Sequence, residues 1–148
     1  MPIPPLTPEG YLPEGVYDCA LPEVEERFSY FGRAGRRITL FEQLASYFFE
    51  IRQAGGVLAL VLDGSYISAK TEPNDIDLIV ALEHDIDTTS LLSPSFYNLI
   101  SRRQVSRRYR MDVLVARDGG REYQKYIEFF SKGRDLSQPR KGLLRVTL

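Results

Sequence analysis

Three aspartates stand at the beginnings of apolar runs that have the length of a β-strand. Asp75 and Asp77 open the run 75–82, and Asp112 enters the run 111–116. Successive side chains of a strand point to opposite faces, so Asp75 and Asp77 should face the same way. Two adjacent carboxylates at the mouth of a buried strand are costly to keep ionised unless a cation lies between them. The spacing therefore predicts a magnesium site.

A Gly-Ser pair, Gly64-Ser65, follows another apolar run, 57–62. Glycine lets a backbone approach a phosphate closely, and the amide and hydroxyl of Ser65 at a helix start can bind it. Lys70 is either a phosphate-binding residue or a solvated loop lysine, and the sequence supports both interpretations equally. A lone D-x-D is more often a solvated strand end and a lone Gly-Ser a turn, so only their combination is specific.

Phosphoryl and nucleotidyl transfer are the chemistry that such residues could perform. Magnesium needs only one or two carboxylates in addition to substrate phosphates, and two ions about 3.5–4 Å apart can hold the attacking and leaving oxygens in line. Asp75 and Asp77 can supply the shared ligands and Asp112 a third. The third carboxylate can also accept the proton of an attacking hydroxyl.

The helices and strands that must position these residues predict an α/β (α+β) fold, in which a small mixed sheet packs against helices. A capping box at Thr39 and Glu42 predicts a helix over 39–54 that ends at Gly55-Gly56. Other helices are predicted over 23–30, from Ser93-Pro94 to 100, and from 120 to Gly133. Strands are predicted at 57–62, 75–82 and 111–116, and at 142–148 as a sheet edge.

The 148 residues are expected to form one domain, with 36–116 as its core and 117–148 as a C-terminal helix and strand. Residues 1–22 hold six of the nine prolines, so this arm should be neither helix nor central strand. We expect it to lie extended over the surface, and a flexible partner-docking tail is the alternative.

Charge and cysteine content bear on the binding partners and the cellular location that can be expected. The net charge of −1 gives no global attraction to nucleic acid or membranes. Cys19 is the only cysteine, no apolar stretch has the length of a membrane span, and prolines replace a signal peptide, so a cytoplasmic location is expected. The segment 102–110 carries five arginines. A solvated face that offsets nearby acids is favoured there over contacts with nucleotide phosphates or RNA.

The pattern Gly64-Ser65, Asp75-Ile76-Asp77 and Asp112 resembles the nucleotidyltransferase fold of the polymerase beta type, especially its minimal bacterial forms. The resemblance implies that Gly64 and Ser65 grip the phosphates of an NTP, with ATP expected. It implies that Asp75, Asp77 and Asp112 bind two Mg²⁺ ions. It also implies transfer of an NMP to a hydroxyl of a protein, an RNA end or a small molecule, and by analogy a role in a toxin–antitoxin or phage-defence pair.

The chain departs from that pattern in two respects. The segment 66–70 follows Gly-Ser where minimal forms commonly have a small residue and another glycine. No separate helical domain is present to hold an acceptor, so recognition must come from the arm, the C-terminal segment, self-association or a partner protein. Two other functions stay open: a non-catalytic, antitoxin-like module that binds a nucleotide or partner, and an RNA-binding accessory domain.

Overall fold

The structure is a computed structural model that describes residues 3–32, 35–87, 89, 93–132, 137 and 139–148. These residues form five strands and five α-helices. In chain order they are β1 (Val16–Cys19), α1 (Leu21–Phe28), α2 (Arg36–Ala54), β2 (Val57–Asp63), β3 (Ile76–Leu82), α3 (Pro94–Ile100), α4 (Arg102–Tyr109), β4 (Met111–Arg117), α5 (Arg121–Lys132) and β5 (Leu143–Thr147). No helix in this part of the chain is both long enough and apolar enough to cross a membrane.

The strands form one mixed sheet in the order β1-β5-β2-β3-β4, which confirms the predicted α/β class. β3 and β4 are parallel, as are β1 and β5, and β2 is antiparallel to both of its neighbours. The prediction that the last strand lies at an edge is wrong. The proline-rich arm supplies β1, which pairs with β5 and covers the side that would have been the edge.

The sheet separates two apolar cores because its strands alternate their side chains. Helices α1 to α4 pack on one face, and the larger core lies between them and the sheet. Helix α5 covers the other face, where Tyr126, Ile127 and Phe130 pack around Tyr123 against Ala59 and its neighbours. The predicted last helix is therefore confirmed, while Gly133, its predicted end, lies outside the described residues.

Two helix starts differ from the sequence pattern. Helix α2 begins at Arg36, preceded by Gly35 in a left-handed conformation, so the capping box at Thr39 is wrong. Thr39 lies in the first turn instead, and its hydroxyl donates to the Gly35 carbonyl. Helix α1 begins at Leu21 with Pro22 in its first turn, where proline is tolerated. The predicted start at Ser93 is confirmed, since its hydroxyl accepts a hydrogen bond from the Phe96 N–H.

The proline-rich arm is packed into the fold. Ile3 and Leu12 are buried in the larger core. The Leu12 carbonyl accepts a hydrogen bond from Gly142 N–H at 2.9 Å, and the Gly10 carbonyl accepts one from Ala69 N–H at 2.9 Å. The arm therefore holds the start of β5 and the loop that follows Gly64-Ser65.

Candidate functional site

Three aspartates form a row across β2, β3 and β4 at one end of the sheet. Asp77 is the Cα partner of Asp63 on β2 and of Asp112 on β4. Partner residues on neighbouring strands carry their side chains on the same face. This is the face covered by α5, because Ala59, Ile79 and Ala116 point there two or four residues along the same strands. Asp77 and Asp112, predicted from separate motifs, are thus brought side by side.

Asp75 lies one residue before β3, in an exposed position. The period of two places it on the same face as Asp77 if the strand conformation is continued. It lines a groove of about 650 Å³ together with Asp112. Among the described residues, no three His, Cys, Asp or Glu side chains are grouped closely enough to hold a metal ion on their own. The row therefore offers two neighbouring carboxylates, Asp77 and Asp112, but it does not by itself supply all the ligands of a metal ion.

Gly64 packs directly against the carboxylate of Asp77. Its backbone has φ 85° and ψ −166°, a region that essentially only glycine occupies. A Cβ at this position would lie 2.6 Å from Asp77 Oδ2. The glycine that was expected to approach a phosphate thus also allows the turn after β2 to approach the carboxylate row.

Ser65 was expected at a helix start, and it opens a three-residue 3₁₀ turn, Ser65–Ile67. Its carbonyl accepts hydrogen bonds from the Ser68 hydroxyl at 2.7 Å and from the Arg37 guanidinium at 3.1 Å. Lys70, at the end of the loop, is exposed, and its carbonyl also accepts from Arg37. The backbone of the loop is therefore fixed from inside the protein.

Arg37 is the residue that fixes this loop, and the sequence analysis did not single it out. It is fully buried at the start of α2. Burial lowers the pKa of its guanidinium to about 10, an effect that the neighbouring Tyr66 opposes, so the side chain stays charged at neutral pH. The guanidinium donates to the carbonyls of five residues: Phe28, Ser65, Tyr66, Ser68 and Lys70. A charged group with all its donors satisfied can be buried in this way.

Asp63 is the member of the row that the sequence analysis missed. Its side chain is buried, and burial raises its pKa to about 6, although a hydrogen bond from Gly64 N–H and the charge of Lys141 act in the opposite direction. Its position as the last residue of the run that precedes Gly64-Ser65 was the available signal. A carboxyl that changes charge near neutral pH therefore lies beside Asp77.

Arg102 forms a bidentate ion pair with Asp112. Its Nε lies 2.6 Å from Oδ1 and its Nη2 2.9 Å from Oδ2. The hydrogen bond and charge of Asp112 raise the pKa of Arg102, and the charge of Asp77 adds to the effect. Because the Arg102 side chain is 65% exposed, the pair contributes little to stability. It does show that a cationic group fits against the row.

The arginine-rich segment 102–110 forms α4 and the residue that follows it. Val105 and Tyr109 turn into the larger core, so the arginines occupy the remaining, exposed faces of the helix. Arg108 pairs with Glu50 at 2.9 Å, as expected for a face that offsets nearby acids. The pairing of Arg102 with Asp112 brings the same helix to the carboxylate row.

The comparison with protein families gives one match, described as a family of unknown function (DUF6932). It extends over residues 4–147, and the chain belongs to this family. Comparisons with curated proteins and with solved structures found no match. The matched region includes the arm, the carboxylate row and α4, so these features all lie within the family's own domain.

Proposed function

We propose that this DUF6932 protein is a magnesium-dependent nucleotidyltransferase with the fold of the minimal polymerase beta-type enzymes. It would transfer an NMP from an NTP, ATP in the first instance, to a hydroxyl acceptor. The observation that carries the proposal is the pairing of Asp77 with Asp112 at the entry of two parallel strands, with Gly64 packed against Asp77. A solvated strand end would require neither the matched register nor the close glycine.

The donor set fits magnesium that is bound together with its substrate. Carboxylate oxygens are the ligands Mg²⁺ prefers, and it usually takes one or two carboxylates and completes its shell with phosphates and water. Asp77 and Asp112 would hold it, with Asp75 at the rim of the adjoining groove. Bound magnesium would offset the charge of the triphosphate. Occupation requires Arg102 to release Asp112, which a weak exposed ion pair permits.

The chain's own groups then have defined tasks. The Gly64 backbone and the Ser65 amide and hydroxyl would bind the phosphates, in a turn that Arg37 keeps rigid. The acceptor oxygen would form a bond to the α-phosphorus while the bond from that phosphorus to the bridging oxygen breaks, so that pyrophosphate leaves. The hydroxyl proton would pass to a carboxylate of the row. Lys70, at the end of the loop, would add a cationic contact to the phosphates.

The order of elements also supports the proposal. Helix α2, strand β2 with Gly64-Ser65, strand β3 with Asp77, and strand β4 with Asp112 follow one another in the order of the nucleotidyltransferase core. We place the catalytic core at 36–116 and expect the enzyme to work in the cytoplasm, where the single buried thiol of Cys19 needs no partner.

The test is a thermal-shift and label-transfer comparison of the wild type with Asp77→Asn. Mg²⁺ with the correct NTP at 100 times its Kd should stabilise the wild type by about 2.7 kcal/mol, or roughly 5–10 °C. Asp77→Asn should lose the response and the transfer of label from an α-labelled NTP. Asp85→Asn, in an exposed turn beyond the far end of β3, is the matched control and should keep both. A wild type that does not respond to any of the four NTPs with Mg²⁺ would refute the proposal.

One observation favours a second function, a non-catalytic nucleotide-binding module. The bidentate Arg102–Asp112 pair already neutralises one carboxylate with a protein cation. If the pair persists with nucleotide bound, the NTP will stabilise the protein without label transfer. Arg102→Ala then separates the two functions: in the enzyme it should strengthen the thermal response to Mg²⁺ with NTP, because Asp112 is released, and in the binding module it should leave the Mg²⁺-independent response to NTP unchanged.

A further inference from the structure

Helix α4 forms one wall of a groove beside the carboxylate row. The groove has a volume of about 650 Å³, and Arg102, Arg103, Ser106 and Arg110 line it together with Asp75 and Asp112. A second groove of about 240 Å³ is lined by residues of α3 and α4: Asn98, Gln104, Arg107 and Arg108. The arginine-rich segment thus lines two grooves, one of which opens onto Asp112.

The charge of this surface is only partly compensated. Arg102 pairs with Asp112 and Arg108 with Glu50. Within the part of the chain that the structure describes, the side chains of Arg103, Arg107 and Arg110 form neither a hydrogen bond nor an ion pair. Three uncompensated positive charges therefore concentrate on one segment of a protein whose net charge is −1. Concentration of this kind attracts a polyanion locally.

The grooves lie on the opposite flank of the row from Gly64-Ser65. Across the sheet the order is the end of β2 with Gly64, then Asp77 on β3, then Asp112 on β4. Arg102 bonds to Asp112 on β4, the edge strand of the sheet, so the groove that opens onto Asp112 adjoins the end of the row away from Gly64. If the NTP phosphates occupy the Gly64 flank, as proposed above, an anion on the arginine flank belongs to the other reactant.

Arg110 adopts a backbone conformation that is unfavourable for a residue other than glycine. With φ 53° it is the non-glycine residue that adopts a left-handed conformation in the described chain, at the C-terminus of α4. This position commonly carries glycine. Its carbonyl accepts a hydrogen bond from Ile76 N–H, which fixes it next to Asp75. An arginine that is disfavoured by its backbone conformation here places its side chain in the groove.

From this arrangement we infer that the α4 surface binds the acceptor and that the acceptor is the 3′ end of a single-stranded RNA. The inference rests on the proposed function. Eight helical residues extend about 12 Å, which is long enough for a strand with successive phosphates. The amides of Asn98 and Gln104 lie among the arginines and can bond to base edges, which are unpaired in a single strand.

The experiment measures binding of a short labelled single-stranded RNA by fluorescence anisotropy, without Mg²⁺ or NTP, over a series of salt concentrations. Arg103→Ala and Arg107→Ala should each weaken binding roughly fivefold at low salt, the scale of one exposed charge–phosphate contact. Each should also reduce the slope of log K against log salt by about 0.7. Arg121→Ala is the matched control, because Arg121 is an exposed arginine beyond the far end of β4, and it should bind as the wild type does.

Arg110→Gly tests the same surface without a risk of unfolding. Glycine suits the left-handed conformation and retains the carbonyl that bonds to Ile76, so the melting temperature should stay equal or rise. RNA affinity should fall roughly fivefold, as for the other two arginines. Weaker binding in an equally or more stable protein is a result that a purely structural role would not give.

Two results would overturn the inference. One is RNA affinity that is unchanged in Arg103→Ala, Arg107→Ala and Arg110→Gly, or reduced as much in Arg121→Ala. The other is unchanged RNA affinity with a reduced thermal response to Mg²⁺ and NTP, which would assign the groove to the triphosphate. RNA binding is measured without nucleotide, so a failure of the RNA test does not affect the Asp77→Asn test of the proposed function.

Discussion

Replacing Gly64 with alanine tests whether the close approach of the turn to Asp77 is part of the site. Two unfavourable terms are expected. The backbone conformation, with φ 85° and ψ −166°, costs a residue other than glycine about 1–3 kcal/mol. The added Cβ would lie 2.6 Å from Asp77 Oδ2, where ordinary contact begins at 3.4 Å, so the carboxylate must retreat by about 0.8 Å, the difference of the two distances.

Gly55 provides a matched control for the backbone term. It has φ 76° and ψ 174°, nearly the conformation of Gly64, and no atom lies within 4 Å of the position of an added Cβ. Gly55→Ala should therefore show the backbone term alone. Gly64→Ala should be less stable than Gly55→Ala by a further 1–2 kcal/mol, roughly the scale of overpacking in a tight site.

Urea unfolding measures both terms, and the thermal response to Mg²⁺ and NTP measures their effect on the site. We expect Gly64→Ala to lose most of the response at temperatures where it is still folded, because Asp77 is displaced. Gly55→Ala should keep the response of the wild type. Equal free energies of unfolding for the two variants, or an unchanged response in Gly64→Ala, would refute the reasoning that joins the turn to the carboxylate.

Two further predictions concern the buried charges next to the site. Arg37→Met should lower the free energy of unfolding, measured in urea, by about 3–5 kcal/mol, because buried carbonyls such as those of Phe28 and Tyr66 lose a charged donor. Arg52 is exposed, so the control Arg52→Met should change the free energy of unfolding by less than about 0.5 kcal/mol. A similar change in both variants would contradict the role of the buried guanidinium. The pKa of Asp63 is raised from 3.8 to about 6 in the folded protein, so between these pH values the folded state binds more protons than the unfolded state does. The free energy of unfolding should therefore fall as the pH rises through this range. Asp63→Asn should therefore be more stable than the wild type by about 3 kcal/mol at pH 7 and equal to it near pH 3; a difference that does not vary with pH would contradict this.

The sequence allowed the face of each strand to be predicted but not the pairing between strands. Alternation puts Asp75 and Asp77 on one face from local pattern alone. That Asp77 is opposite Asp112 and Asp63 depends on register, and a shift of one residue would have sent a carboxylate to the other face. Both apolar runs are uniform, so their composition does not select a register.

Two other features depend on contacts that are distant along the chain. Arg37 lies in a basic segment, and nothing local distinguishes it from its neighbour Arg36, which is only partly buried. Its burial arises because the carbonyls of residues 65–70 converge on it. The four-residue strand Val16–Cys19 was hidden among prolines, and without it the last strand appeared to be an edge.

The interior position of β5 determines when the sheet can close during synthesis. Residues 16–19 are made early and pair only with residues 143–146, so this pairing has one of the largest sequence separations in the molecule. Until β5 has emerged from the ribosome, β1 has no strand to pair with, and β2 presents an open edge with apolar faces. We therefore expect a nascent chain of this protein to be prone to aggregation until β5 has been made.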